Sequence, residues 1–388
     1  MAQTLQLLIK YIKRHFRVKI KLKESTMKTI IHVVQHLAPG GLEAMVLDML
    51  TFTNPKHNIM VVSLDGTIDN ATNAWPRLKS HQNQLIFLNK SSGFSVSVIN
   101  QLLTIFKQYN VDIVHSHHIG PLLYSGFAAM LNRDVKHVHT EHDAWHLTAK
   151  KHLYLQKLAL FLSKPKLVAD ADFVKITLEK TFNQYPIHTI KNGIDPHKFT
   201  TGDQHKARKS LGLNLPKNTI LIGNAARLEA VKAHPNLIEA MIFLDNNYHL
   251  LLAGSGSQKE YLLHLVRQYK LEKRVHFLGH IEQMPTFYQS LDIFCLPSNN
   301  EGFPLSTLEA QSCGIPCVAH NVGGVVETLC PKSSKLIDNN LPASLAKAIK
   351  ELTNQKTKSN PRTFILDNND AQSMADAYEH LYFSGVTA

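Results

Sequence analysis

Cysteine is scarce in this chain, carboxylates are outnumbered by cations, and the apolar residues near the amino terminus are interrupted by charge. Only Cys295, Cys313, Cys317 and Cys330 occur among 388 residues. Their spacing fits no zinc pattern, and a chain of this length buries enough core to need no disulfide staples, so four buried thiols in a reducing cytoplasm are expected. With 44% hydrophobic residues, the length suggests two or three domains, each with a core of its own. Lys and Arg number 42 against 30 Asp and Glu, a net charge of +12. More than half of that excess is local: Lys10, Lys13, Arg14, Arg17, Lys19, Lys21, Lys23 and Lys28 face only Glu24, a net +7. No second basic cluster of that size and no RNA- or DNA-binding motif is present, which speaks against a nucleic-acid groove.

Between those first cations stand Leu5, Leu7, Leu8, Ile9, Ile12 and Phe16, and the pattern allows one apolar and one basic helical face. A leader over residues 1–27 with these faces suits adsorption to an anionic membrane surface. It is too short and too charged to span a bilayer, and no small-residue cleavage site follows its apolar part. A disordered basic tail ahead of a start at Met27 is the structural alternative. The expected location is cytoplasmic, peripheral at the inner face of the cytoplasmic membrane.

Beyond the leader, short apolar runs alternate with helical periodicity. Residues 29–34, 59–64, 85–88, 111–115 and 135–139 read as strands, with helices at 42–53, 96–109 and 120–131. The second half repeats the style, with strands at 219–224, 248–253, 274–278, 292–296 and 316–319 and helices at 234–244, 257–270, 306–313 and 342–352. Such alternation predicts an α/β chain with two doubly wound parallel sheets, over residues 28–195 and 196–370. A last helix, residues 371–383, carries Met374, Ala375, Tyr378, Leu381 and Tyr382 at helical spacing.

The most informative segment is Pro297–Ala310. It sets Glu301 and Glu309 on a loop that opens into a helix at Ser306, because Gly302 and Pro304 forbid a continuous helix. First-turn amides lack internal partners and face the positive end of the helix dipole, so they suit a diphosphate, while carboxylates on either side suit hydroxyls. A sugar nucleotide has that order of groups. The structural alternative is a capping box, Ser306-Thr307-Leu308-Glu309, in which Glu309 only reaches back to an amide.

This Glu-x7-Glu run, with Ala310–Ala319 and Val322-Gly323-Gly324-Val325-Val326-Glu327 after it, resembles the family 4 glycosyltransferases, which have the GT-B fold. Further stretches are similar to that family: Ile222–Leu228 leading to Lys232–Ala240, the junction Lys191-Asn192-Gly193-Ile194-Asp195 with Phe199, the glycine turn Leu250–Gly256, and Ala38-Pro39-Gly40-Gly41-Leu42-Glu43. The set runs over residues 28–383, and each glycine loop alone would be weak.

The resemblance implies a retaining transfer of a sugar from a nucleotide diphosphate sugar to a glycan or lipid-linked acceptor, in bacterial surface polysaccharide or lipopolysaccharide synthesis. Arg227 and Lys232 would meet the diphosphate and offset the charge that develops on the leaving group. Glu301 would position the transferred sugar and Glu309 the ribose, with Gly302, Phe303, Pro304 and Leu305 forming the rest of the donor loop. Gly40 and Gly41 would approach the acceptor or diphosphate, and His142, in Thr140-Glu141-His142-Asp143, would serve the acceptor side. Glu43 has a helix amino terminus as its simpler explanation and is left outside the site. The last helix would cross back onto the first domain.

His115, His117, His118, His137, His139, His142 and His146 also have zinc-like spacings, but cleft-lining or hydrogen-bonded core histidines explain them. No Asp-x-Asp metal motif stands at a strand end, so no cofactor and metal-independent activity are expected. The rivals are a GT-B sugar-nucleotide epimerase and a catalytically silent nucleotide-sugar-binding subunit.

Overall fold

A computed structural model describes residues 27–355 and 360–384; of the leader expected over residues 1–27, residues 1–26 lie outside them. Two all-parallel sheets make up the molecule. The first holds β1 (Thr29–Val34), β2 (Asn58–Ser63), β3 (Leu85–Phe87), β4 (Ile113–His117), β5 (Lys136–Glu141), β6 (Lys166–Ala169) and β7 (Ile187–Thr189), in the order β3-β2-β1-β4-β5-β6-β7. The second holds β8 (Ile220–Ala225), β9 (Tyr248–Ala253), β10 (Val275–Gly279), β11 (Ile293–Leu296), β12 (Cys317–His320) and β13 (Lys335–Ile337), in the order β10-β9-β8-β11-β12-β13.

Every residue of β1 and of β9 is buried, as expected of central parallel strands covered on both faces, which is why both read as unbroken apolar runs. The strands that periodicity does not reveal are β6, β7 and β13, of four, three and three residues. The helix Lys150–Ser163 is likewise absent from the sequence expectation, because its solvent face carries Tyr154, Leu158 and Phe161 and blurs the amphipathic pattern. All four cysteines are buried and unpaired.

In both sheets the strand order reverses beside a central strand, between β1 and β4 and between β8 and β11. Crevices at such switch points lie beyond the carboxyl ends of the strands, and the loops that leave β1, β4, β8 and β11 therefore face one another across the interdomain cleft.

The chain leaves the first sheet and returns to it by one paired link. Ile194 bridges Asp370 in parallel, with Ile194 N donating to Asn369 O at 2.9 Å and Ala371 N to Ile194 O at 3.0 Å. Gly193 is needed there, since a Cβ would stand 2.5 Å from the Asp370 carbonyl oxygen. The helix Ala371–Phe383 then buries Met374, Ala375, Tyr378, Leu381 and Tyr382 in the same core as Ile30, Val34 and Met45 of the first domain. Another cluster joins Leu122, Leu167 and Val174 to Phe303, Leu308 and Val325, so the two sheets share continuous apolar packing below the cleft.

Candidate functional site

On the second domain, the chain leaves β8 at Ala225 and makes a tight turn that carries Arg227 and Lys232. Leu228 N donates to Ser255 O at 2.9 Å and Gln258 N to Leu228 O at 2.9 Å. Gly256 permits that approach, because a Cβ would lie 2.5 Å from the Leu228 carbonyl oxygen. The loop after β11 is tied to the same turn through Asn299 N to Val231 O at 2.8 Å. There the Lys232 ammonium donates to Glu301 Oε1 at 2.7 Å, with Glu301 only 9% exposed. Arg227 remains exposed on the cleft side of the turn.

The helix beyond this loop spans Leu305–Ser312 with Pro304 as its N-cap, one residue earlier than the expected start at Ser306. Ser306 therefore lies within the first turn and cannot form the capping box. Glu309 sits in the second turn, where it accepts a bond from the Tyr288 hydroxyl at 2.6 Å. Burial raises its carboxyl to about 7, opposed by that bond and by Lys198. Glu309 is thus held apart from the Lys232–Glu301 pair, among Tyr288, Lys198, Asp48 and Arg77.

Glycine at 302 lets the domains touch. A Cβ there would stand 1.9 Å from the backbone carbonyl oxygen of His142 in the first domain. Gly324 N donates to Gly302 O at 3.0 Å, and a Cβ on Gly324 would meet that oxygen at 2.2 Å and the Ala171 Cβ at 3.1 Å. Gly323 has φ of +57° and no room before the Glu301 carbonyl oxygen. His142, Gly302, Gly324 and Ala171 form one stack of backbone across the cleft. Beside it, a Cβ on Gly41 would meet the Leu305 side chain at 3.7 Å, an ordinary contact. Phe303 and Pro304 are buried behind the loop.

The first domain supplies a chain of buried imidazoles. His32 Nδ1 lies 3.1 Å from His117 Nε2, His117 Nδ1 lies 3.0 Å from His142 Nε2, and His142 Nδ1 lies 3.1 Å from Asp170 Oδ2. Asn192 donates to the same Asp170 oxygen at 3.0 Å. Burial raises the Asp170 carboxyl to about 6 and lowers His32 to about 3, so neutral rings predominate at the far end of the chain. Both ring nitrogens of His142 are engaged, and its backbone carbonyl is the group turned toward Gly302. His115 binds Tyr382 at 2.7 Å and Thr140 at 2.8 Å, and Ser116 bridges His137 at 2.8 Å and His139 at 3.0 Å. These three histidines belong to the interior rather than the cleft lining. His146 differs. Burial works against its charge, but hydrogen bonding to Asp143 and the nearby Glu141 raise it to about 9.

Three side chains near the cleft were not expected there. Glu43, dismissed above as a helix-terminus residue, lies 3.5 Å from His36, and burial raises its carboxyl while His142 and Arg227 act on it from opposite sides of the cleft. Its place directly after Gly40-Gly41 was the available signal. Asp170 opens an Asp170-Ala171-Asp172 sequence at the end of β6, an Asp-x-Asp pair missed because β6 itself was missed. The two carboxylates diverge: Asp170 holds His142, while Asp172 begins a helix and pairs with Lys191 at 3.0 Å. Glu327 of the second domain accepts from Asp172 N at 3.0 Å and Phe173 N at 2.8 Å, at the amino terminus of the first-domain helix Asp172–Thr181, and pairs with Lys191 at 3.0 Å.

Among the described residues, His32, His115 and His117 bring ring nitrogens within 4.8 Å of one another. Both nitrogens of His115 and of His117 already take part in the bonds above, so a metal ion would have to displace them.

The carboxyl-terminal half, residues 203–378, matches the family model for glycosyl transferases group 1, and residues 39–198 match that for glycosyltransferase family 4. The two matches lie side by side over most of the chain, and it belongs to this family of glycosyltransferases. The O-antigen biosynthesis glycosyltransferase WclY of Escherichia coli is 29% identical over 195 residues, 50% of this chain and 54% of the relative; the chain spans about half the length of that curated relative. Among solved structures, a glycosyltransferase from Rickettsia africae has a TM-score of 0.74 at 23% identity, covering 92% of this chain and 98% of that one. Anabaena HepE in complex with UDP-glucose has a TM-score of 0.77 at 21% identity, covering 92% and 99%. The fold is GT-B.

Proposed function

We propose that this chain moves a sugar, with retention of configuration, from a nucleoside diphosphate sugar to a hydroxyl of a glycan or lipid-linked acceptor in bacterial surface polysaccharide synthesis. The observation that carries this is the Lys232–Glu301 pair at 2.7 Å, set beside Gly302, where the second domain's loop meets the His142 carbonyl. A sugar nucleotide would divide that pair, the ammonium turning to phosphate and the carboxylate to sugar hydroxyls. The UDP-glucose complex of HepE supports a donor of this class, and the name of WclY supports the surface-polysaccharide role.

In the reaction, the bond from the anomeric carbon to the diphosphate oxygen breaks and a bond to the acceptor oxygen forms on the same face. The acceptor's proton passes to the leaving phosphate oxygen. Arg227 and Lys232 stabilise the growing phosphate charge more than the ground state, which is how fixed cations raise a rate. Glu301 and the donor loop Gly302–Leu305 hold the sugar, Glu309 the ribose, and Gly40 and Gly41 admit the acceptor or diphosphate. Glu301 and Glu309 are not a glycosidase acid and base pair. His142, fixed by Asp170, supports the acceptor side. Turnover needs no metal, and the enzyme works at the inner face of the cytoplasmic membrane.

A panel of nucleotide sugars screened for thermal stabilisation identifies the donor by mass action. Release of nucleoside diphosphate on adding acceptor, undiminished by EDTA, is the expected result. Interconversion of donor sugars without acceptor, or binding without turnover, overturns the transfer; loss of turnover in EDTA with rescue by a divalent ion overturns its metal independence.

A further inference from the structure

We propose that the outward face of the helix Lys150–Ser163 is a lipid-docking surface that seats the chain on an anionic membrane. Its sequence, KKHLYLQKLALFLS, contains no carboxylate. Tyr154, Leu158 and Phe161 follow at i, i+4 and i+7 and form one stripe, with exposures of 68%, 47% and 66%. Single exposed apolar residues are ordinary, but an aligned stripe of large ones is not.

The flanks decide what covers that stripe. Lys150, Lys157 and Lys164 are exposed and recur every seven residues along one side of it, with Lys151 on the other. Apolar side chains bordered by cations with long flexible stems suit the boundary between headgroups and acyl chains, where the ammonium groups reach lipid phosphates and the rings lie deeper. A protein partner would have to meet four lysines with no carboxylate to set register.

The helix is also fixed with respect to the cleft. Its buried Gln156 donates to Glu141 Oε2 at 2.6 Å and lies 2.8 Å from His146 Nε2, and Glu141 precedes His142 directly. Docking through this face therefore holds the membrane beside the first-domain side of the cleft, within reach of an acceptor embedded in it. That last step rests on the proposed transfer; the docking itself does not.

The two tryptophans make the test local. Trp75 is buried, whereas Trp145, in the turn leading into this helix, is 46% exposed. The full chain is mixed with vesicles of phosphatidylglycerol and phosphatidylethanolamine carrying brominated acyl chains. Trp145 emission should shift to the blue and be quenched, and the effect should weaken on phosphatidylcholine alone. The triple variant Tyr154→Ser, Leu158→Ser, Phe161→Ser should bind such vesicles at least about tenfold more weakly, and so should Lys150→Glu, Lys157→Glu, Lys164→Glu, by loss of apolar contact and of charge attraction. Both variants should keep the wild-type rate on a soluble acceptor.

Pelleting with vesicles without quenching of Trp145 would mean attachment elsewhere and overturns the proposal. So would undiminished quenching in both variants, or a lipid-free dimer in sedimentation that already shields Trp145. Absence of turnover in the wild-type chain, with docking intact, would remove the transfer function and leave this surface standing.

Discussion

Gly302→Ala perturbs the cleft at one point whose cost is readable from the structure. The added Cβ would stand 1.9 Å from the His142 carbonyl oxygen and 3.0 Å from its carbonyl carbon. Both obstructing atoms are main chain and cannot swing aside as a side chain could. To restore a contact of about 3 Å, the two backbones must part by about 1 Å, the scale at which misplaced reacting groups lose roughly 10²-fold in rate. We therefore expect kcat/KM to fall by about 10²-fold, or close to 3 kcal/mol of transition-state stabilisation. Nucleoside diphosphate affinity should fall far less, because Arg227 and Lys232 lie on a separate turn of the second domain. Steady-state kinetics and calorimetric titration of the nucleotide measure the two quantities. Wild-type turnover in a folded variant would refute the need for this contact, and an equal loss of nucleotide affinity would place the damage in the donor site instead.

Lys232→Met leaves the Glu301 carboxylate buried without its cation, so a loss of roughly 1.5–3 kcal/mol of stability is expected, and Lys232→Met with Glu301→Gln should cost less than the two single changes added together; strict additivity in denaturant unfolding would count against the pair. Glu309 is held at about 7 when folded, against 4.5 for the ordinary group, so between those values the folded chain keeps a proton that the unfolded chain has lost. Its contribution is therefore fully present below about 4.5, and stability declines by at most about 3 kcal/mol as pH rises through 7; Glu309→Gln should flatten that part of the profile, and an unchanged slope refutes the assignment. If Glu309 also accepts ribose hydroxyls, nucleotide should bind more tightly at pH 8 than at pH 6 in the wild type, by a margin that shrinks in Glu309→Gln. His142→Ala should lower kcat and kcat/KM together while nucleoside diphosphate binds nearly as before, and full turnover in a folded variant would take His142 out of the site. Glu327→Gln removes a carboxylate from a helix amino terminus and from Lys191, so the melting temperature should drop by a few degrees, from about 1 kcal/mol lost; no change would mean the contact contributes nothing to holding the domains together.

Much of this protein was determined by local pattern. Strands buried on both faces, such as β1 and β9, announce themselves as apolar runs, and the helix Ala371–Phe383 shows its core face at 3.6-residue spacing. The Gly40-Gly41 loop, the Arg227–Lys232 turn and the Glu301–Glu309 run each follow a central strand of its sheet, and their likeness to a known family, rather than periodicity, is what singled them out. Other features were settled by packing between segments far apart in the chain. Whether Ser306 caps a helix depends on Pro304 taking that place, and the donor that Glu309 meets, Tyr288, comes from a helix 21 residues earlier. The Asp170-Ala171-Asp172 pair stayed hidden behind β6, a strand that the pattern does not show, and its two carboxylates then went separate ways, one to His142 and one to Lys191. Glu327 gives no local sign that it reaches the other domain. Periodicity records which face of an element is buried, but it carries no information about the partner on that face. Those partners were chosen only when the two sheets closed on one another, because a buried carboxylate or imidazole must find its hydrogen bonds wherever the fold brings a donor within reach.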